Sequence, residues 1–388
     1  MIELSKRGDV EPFHAMDVLA EATKRKALGH PVISCAVGQP SHPAPQAALA
    51  AARAALEHGR IGYTESLGLL SLRKAISAHY ASRYGVEVSA DRIAVTTGSS
   101  AGFNLAFLAL FDVGDTVAIA RPGYPAYRNI LKALGLNVLE VHADAHTGFT
   151  LTPDSLAKAA RAAGVRIAGV LLASPANPTG TVTGKAALKT LADYCAAENI
   201  HLISDEIYHG LTFAGEETTA LEVTDNAVII NSFSKYYCMT GWRVGWMILP
   251  EPMVRTFERI AQSLYISAPE LSQIAAEAAL GEIEELEAVK DSYRKNRDIL
   301  MERLGGIGFQ LASPMDGAFY AYTDVSRFTN DSMAFARRML KEINVAATPG
   351  IDFDPIDGQH TMRISYAGKT SDIAEAMDRI EDWVKRIY

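Results

Sequence analysis

From about residue 90 to residue 250, short runs of apolar and β-branched residues alternate with longer segments of helical spacing. Runs of this kind over 92–97, 116–120, 137–141, 167–173, 201–204, 227–231 and 244–249 predict strands. Ala168-Gly-Val-Leu-Leu-Ala173 is apolar throughout, as a strand covered on both faces requires. The alternation predicts an α/β fold, a mainly parallel sheet flanked by helices. Further on, helical spacing over 282–304, near 331–342 and from about 371 is interleaved with strand-like 318–322 and 361–366, which predicts a smaller α+β domain. The expected division is a large domain at 46–284 and a small domain assembled from 1–45 and 285–388.

Composition narrows the function classes. At 388 residues, 48% hydrophobic and 21% charged, the chain can fill two domains of ordinary size. Cys35, Cys195 and Cys238 are odd in number and widely spaced, which suits neither a disulfide framework nor a metal-binding pair and fits a reducing compartment. The first residues are charged where a secretory signal needs an apolar stretch, and no segment approaches the roughly 18 apolar residues of a membrane span. A cytoplasmic protein without membrane contact is expected. A net charge of −8 with scattered basic residues argues against a nucleic-acid surface. The pair His142 and His146 has helical metal-ligand spacing, but it lies after a strand among Ala, Asp, Thr and Gly, so a surface loop and no metal site are expected. No Gly-x-Gly-x-x-Gly follows a strand, which weighs against a nicotinamide cofactor.

The chemistry is concentrated at strand ends. Four predicted strands run into Gly98-Ser99-Ser100, Ser174-Pro-Ala-Asn177-Pro178-Thr-Gly180, Asp205-Glu-Ile-Tyr208 and Ser232-Phe-Ser-Lys235. Ligands of such sheets gather beyond the carboxyl ends of the strands, so all four should meet in one crevice. An amine at Lys235, flanked by hydroxyls and followed by Arg243, suits capture of a phosphorylated carbonyl compound: the amine attacks the carbonyl while hydroxyls and guanidinium hold the phosphate. Pyridoxal phosphate is such a compound. Gly98-Ser99-Ser100 should open a helix running to about residue 111, whose free N–H groups suit a phosphate. Asp205 would be a largely buried carboxylate and needs a partner, which a protonated ring nitrogen would be. Asn177 and Tyr208 can donate to the ring's oxygen, and Tyr124 can lay an aromatic face over the ring. Taken singly, each has a plainer reading: a surface lysine, a serine cap, a turn, a packed loop anchor.

Taken in order, Gly98-Ser-Ser, Tyr124, Asn177-Pro-Thr-Gly180, Asp205-x-x-Tyr208, Ser232-x-Ser-Lys235 and Gly241-x-Arg243-Val-Gly245 resemble the class I/II aminotransferases of the aspartate aminotransferase superfamily, pyridoxal-phosphate fold type I. The resemblance covers nearly the whole chain, from Val37-Gly38-Gln-Pro40 to Arg363-Ile-Ser-Tyr366. It implies Lys235 as Schiff-base lysine and proton shuttle, Asp205 as partner of the ring nitrogen, and Asn177 and Tyr208 on the ring oxygen. It implies Tyr124 stacked on the ring, and Ser99, Ser100, Ser232, Ser234 and Arg243 at or near the phosphate. Arg363 would clamp the substrate's α-carboxylate, and Gly38 would face the same group through its backbone. Tyr63 matches a tyrosine that reaches the neighbouring subunit's phosphate, which implies a homodimer with shared active sites.

The implied activity is ping-pong transamination between an L-amino acid and a 2-oxo acid. A β-lyase or decarboxylase of the same fold would share every cofactor residue, because the outcome depends on which bond to the α-carbon stands perpendicular to the ring. Dicarboxylate-selective members use an arginine just before a Ser-Asn-Pro-like segment; the corresponding stretch here, 263–269, holds no arginine. Tyr265 and Ile266 in that segment suit either an aromatic or apolar substrate side chain or packing between subunits.

Overall fold

The computed structural model describes residues 4–388. Helix α1 (His14–Ala27) opens the described chain and lies against the carboxyl-terminal region. The main sheet has seven strands, β1 (Ile93–Thr96), β2 (Thr116–Arg121), β3 (Asn137–His142), β4 (Ile167–Ala173), β5 (His201–Asp205), β6 (Val228–Ser232) and β7 (Gly245–Ile248). Their order across the sheet is β1-β7-β6-β5-β4-β2-β3. All adjacent pairs are parallel except the two made by β7, which runs antiparallel to β6 and β1. The connection from β6 to β7 holds only a short 3₁₀ turn, Thr240–Trp242, and not the α-helix by which parallel neighbours are usually joined.

Several strands run one residue past their expected ends, so that Arg121, His142, Asp205 and Ser232 belong to the sheet. The sequence reading stops a strand where its apolar run gives way, whereas the hydrogen-bond ladder carries one further polar residue along. Asp205 therefore sits in register with Ala173 and Ile230, at the edge from which the site opens.

A second sheet of four antiparallel strands runs in the order Thr348–Pro349, Thr361–Ser365, Tyr320–Asp324, Gln310–Leu311. The strand expected at 318–322 begins later because Ala318 takes a left-handed backbone, φ 58, which extended chain cannot accommodate. Its register sets Arg363 between Tyr322 and Thr348. The helix expected over 282–304 spans Ile283–Ile307, carrying Gly305 and Gly306 inside it before Gly308 stops it at φ 96. Ile33–Ser34 pairs in parallel with Val345–Ala346, which ties the amino-terminal segment to the carboxyl-terminal region. Among the described residues no helix is long and apolar enough to cross a membrane.

His142 ends β3 as an exposed side chain and, rather than His146, meets Asp354 and Asp357. Arg121 donates to both carboxylates, 2.8 and 2.9 Å, and lies 3.3 Å from His142 Nδ1, so this cluster carries its own counter-charge.

Candidate active site

The carboxyl ends of β4, β5 and β6, helix α2 (Ser99–Leu110), the amino-terminal segment and the four-stranded sheet enclose a cavity of about 430 Å³. Gly38, Ser99, Ser100, Tyr124, Asn177, Asp205, Tyr208, Ser234, Lys235, Arg243 and Arg363 all line it. Ser232 does not. Its hydroxyl donates to the Ser234 hydroxyl at 2.9 Å and lies 3.2 Å from the Val244 carbonyl, so it stands behind Ser234. Tyr63 also lies away from this cavity, 81% exposed. Neither Tyr265 nor Ile266 reaches it.

Lys235 follows β6 and donates from Nζ to the Gly38 carbonyl at 2.7 Å. Burial lowers its pKa from the ordinary lysine value to about 8; the Arg363 charge adds to this, and Asp205 opposes it. A substantial share of the amine is therefore neutral, hence nucleophilic, at mildly alkaline pH. No larger residue fits at Gly38, since a Cβ there would come within 1.7 Å of the Tyr320 hydroxyl.

Asp205 is 2% exposed. Burial pushes its pKa up to about 6, against the Tyr127 hydroxyl, which donates to Oδ2, and the Ile207 N–H, which donates to Oδ1 at 3.1 Å. These two donors hold the carboxylate's orientation, and among the described residues no cation is in contact with its charge, so a cationic group in the cavity would complete it. Tyr208 shares a 2.7 Å hydrogen bond with Tyr320, hydroxyl to hydroxyl, and burial holds its phenol well above the usual range. Tyr124 precedes helix α3 (Pro125–Ala133) and meets the edges of Phe13 and Tyr127 at 5.7 and 5.3 Å.

At the other end of the cavity, the first N–H groups of α2 have no acceptor within the helix. Gly98 stands just before them at φ 81, and a Cβ there would lie 2.5 Å from Arg243 Nη2. Arg243 itself holds a left-handed backbone, φ 51, which is uncommon outside glycine. Helix end, hydroxyls and guanidinium make an anion cradle. The donor set thus fits pyridoxal phosphate: a cradle for its phosphate, a buried carboxylate for its ring nitrogen and an amine for its carbonyl.

Arg363 is 3% exposed. It donates to Asn177 Oδ1 at 2.8 Å and to the Ala36 carbonyl at 2.5 Å, and its guanidinium lies between the rings of Tyr320 and Phe353, 4.2 and 4.6 Å from their centroids. Its Nε–H is buried and has no partner among the described residues, so donor capacity remains for an incoming carboxylate.

Sequence reasoning missed Tyr127, Tyr320, Phe353 and the amino-terminal Phe13 and Met16, which also border the cavity or its key groups. Tyr127 carried a signal, since it stands three positions after Tyr124 on one helix turn. The others are brought in by long-range packing and carry no local motif.

The sequence matches the model of the family described as aminotransferase class I and II over residues 30–380. It is 46% identical over 382 residues to the valine–pyruvate aminotransferase of Mycobacterium tuberculosis, a match covering 97% of each chain. The crystal structure of an aminotransferase from Mycobacterium tuberculosis superposes with a TM-score of 0.96 at 45% identity, covering all of both chains. The aspartate aminotransferase of Thermus thermophilus with maleate gives 0.91 at 30% identity, covering 98% of this chain and all of that one. Sequence, fold and a cavity furnished for pyridoxal phosphate agree, and the chain belongs to the class I and II aminotransferases, which depend on that cofactor.

Proposed function

We propose that this aminotransferase works by a ping-pong route in which Lys235 is both the covalent anchor of the cofactor and the proton carrier. The observation that carries this reading is the Lys235 amine, lowered to about pKa 8 by burial and projecting into the same cavity as buried Asp205. Pyridoxal phosphate, when bound, supplies a carbonyl for the amine and a ring that draws electrons from the substrate's α-carbon. Asp205 keeps that ring protonated through charge, with Tyr127 and the Ile207 N–H fixing its aim. Ser99, Ser100, Ser234 and Arg243 hold the phosphate, with Ser232 supporting Ser234. Tyr124 packs over the ring, and Asn177 and Tyr208 donate to its oxygen.

Arg363 receives the α-carboxylate, prealigned by Asn177, Ala36 and its two flanking rings. Displaced from its anchoring role, Lys235 Nζ takes the α-proton and returns it on the other side of the exchange. Gly38 lends its carbonyl to Lys235, and its lack of a side chain leaves room for the Tyr320 hydroxyl.

The large domain at 46–284 acts as cofactor domain, and 1–45 with 285–388 as substrate domain. The proposed assembly is a cytoplasmic homodimer in which Tyr63 completes the partner's phosphate site. Its support is an apolar face of exposed Ile61, Tyr63, Leu264 and Ile266, joined by contacts from Gly62 to Glu270 and from Thr64 to Ser267.

The test is to follow the cofactor's absorption while single amino acids are added without any oxo acid. Stoichiometric oxo acid and aminated cofactor are expected; accumulating ammonia or carbon dioxide with the cofactor unconsumed would overturn transamination. Double-reciprocal plots should be parallel, and intersecting lines would remove the ping-pong route. The mycobacterial relative's name makes valine and pyruvate the first pair to try.

A further inference from the structure

The cavity wall opposite the sheet is built by the amino-terminal segment. Phe13 and Met16 border the cavity together with Val37 and Ile130. What holds this segment in place is Asp352, 1% exposed and from a distant part of the chain. Its two carboxylate oxygens accept from the backbone N–H groups of His14 and Ala15, the first two residues of α1, at 2.9 and 3.0 Å. Arg128 on α3 donates to the Asp352 carbonyl at 3.3 Å. The next residue, Phe353, is one of the rings flanking Arg363. A single segment thus carries the support of the carboxylate clamp and the clasp on α1.

The charges in the cavity are lopsided. Among the described residues, the cations lining it are Lys235, Arg243 and Arg363, and each has its partner in the reading above. A substrate side chain that leaves Arg363 toward Phe13 and Met16 meets apolar surface, with the Asp352 carboxylate close behind it. A second carboxylate placed there would find no counter-ion among the cavity's described residues, would lie against the half-exposed Met16 and would be repelled by Asp352.

We infer that Phe13 and Met16 form the wall that the substrate's side chain meets, that Asp352 is the positioning residue holding that wall, and that the preferred substrate side chain is uncharged and apolar. This rests on the transamination reading and adds to it the groups that choose the donor.

The test uses the holoenzyme and compares single-turnover conversion with valine, leucine, alanine and aspartate. Valine or leucine should exceed aspartate by about tenfold or more in specificity. Met16→Arg places a cation in the wall and should move the valine-to-aspartate ratio toward aspartate by about tenfold. Phe13→Ala should weaken leucine more than alanine. Asp352→Asn should raise KM for valine more than it lowers kcat, and should speed amide hydrogen exchange in the first turn of α1, a readout independent of turnover. If Asp352→Asn does not fold, the Phe13 and Met16 variants decide the matter alone. Aspartate equalling valine in the unaltered enzyme, or specificity ratios unmoved by both wall variants, would overturn the inference. Folded Asp352→Asn with unchanged exchange and KM would remove the positioning role. If none of the four amino acids converts the cofactor, it is the transamination reading that fails; conversion without any change in preference defeats the wall alone.

Discussion

The two ends of the cavity are made in opposite ways. The cofactor end is local: Ser99 and Ser100 begin a helix directly after β1, Asp205 closes β5, and Lys235 stands three residues past β6. Each side chain is placed by the strand that delivers it, and the parallel ladder sets the strands side by side. The substrate end is assembled from afar. Arg363 is held by Asn177, Ala36 and Thr348 and by rings at positions 320 and 353, while α1 is held by Asp352. Chemistry that every member of such a family needs can reside in short motifs on a rigid edge, whereas recognition of a particular substrate depends on contacts between segments that no single local motif contains.

This contrast can be broken most forcefully at the cofactor end. Lys235→Ala should lower turnover by about 10⁴-fold or more while the cofactor remains bound noncovalently, because the proposed anchor and proton carrier are lost together. Dialysed protein would be checked for retained cofactor and residual activity; near-normal turnover would sink the assignment.

At the substrate end, Arg363→Lys keeps the charge but loses the planar fork and its stacking between Tyr320 and Phe353. A drop in kcat/KM of about 10²-fold is expected, with cofactor absorption unaltered. A changed cofactor spectrum would show the two ends to be less separate than their construction implies.

Tyr127→Phe removes one of two donors to Asp205 and should cost about tenfold in kcat, as loss of a hydrogen bond to a charged group does. Because that bond lowers the Asp205 pKa, its loss should move the acid limb of cofactor affinity to higher pH, measurable by titrating cofactor binding at several pH values.

The smallest effect concerns pH alone. Burial disfavours the ammonium form of Lys235, so the neutral amine rises through about pH 8 rather than through the ordinary lysine range. Capture of pyridoxal phosphate by cofactor-free protein should therefore speed up with pH and level off above about 8. A rate still climbing steeply near pH 10 would mean that the amine is more solvated than its surroundings indicate.

Much of this was legible in the chain. Continuous apolar runs such as Ala168–Ala173 mark strands covered on both faces, and polar residues can interrupt such runs only at their ends, so the groups that line the cavity stand out in the sequence. Three details were not legible. The start of the strand at Tyr320 depends on the left-handed Ala318; the retreat of Ser232 behind Ser234 depends on which hydroxyl faces the cavity; and the cluster at His142 depends on Asp354 and Asp357 arriving from the far end of the chain.

The sequence by itself determined the α/β class, the order of the strands' polar ends and the kinds of group that line the cavity, because all of these follow from short-range periodicity and from motifs a few residues long. Only the tertiary structure decided how strongly Lys235 and Asp205 are perturbed, what flanks Arg363 and what walls the substrate side chain. Those properties depend on burial and on partners such as Tyr127, Tyr320, Asp352 and Phe353, and a local pattern carries no record of which distant segment will exclude water from it.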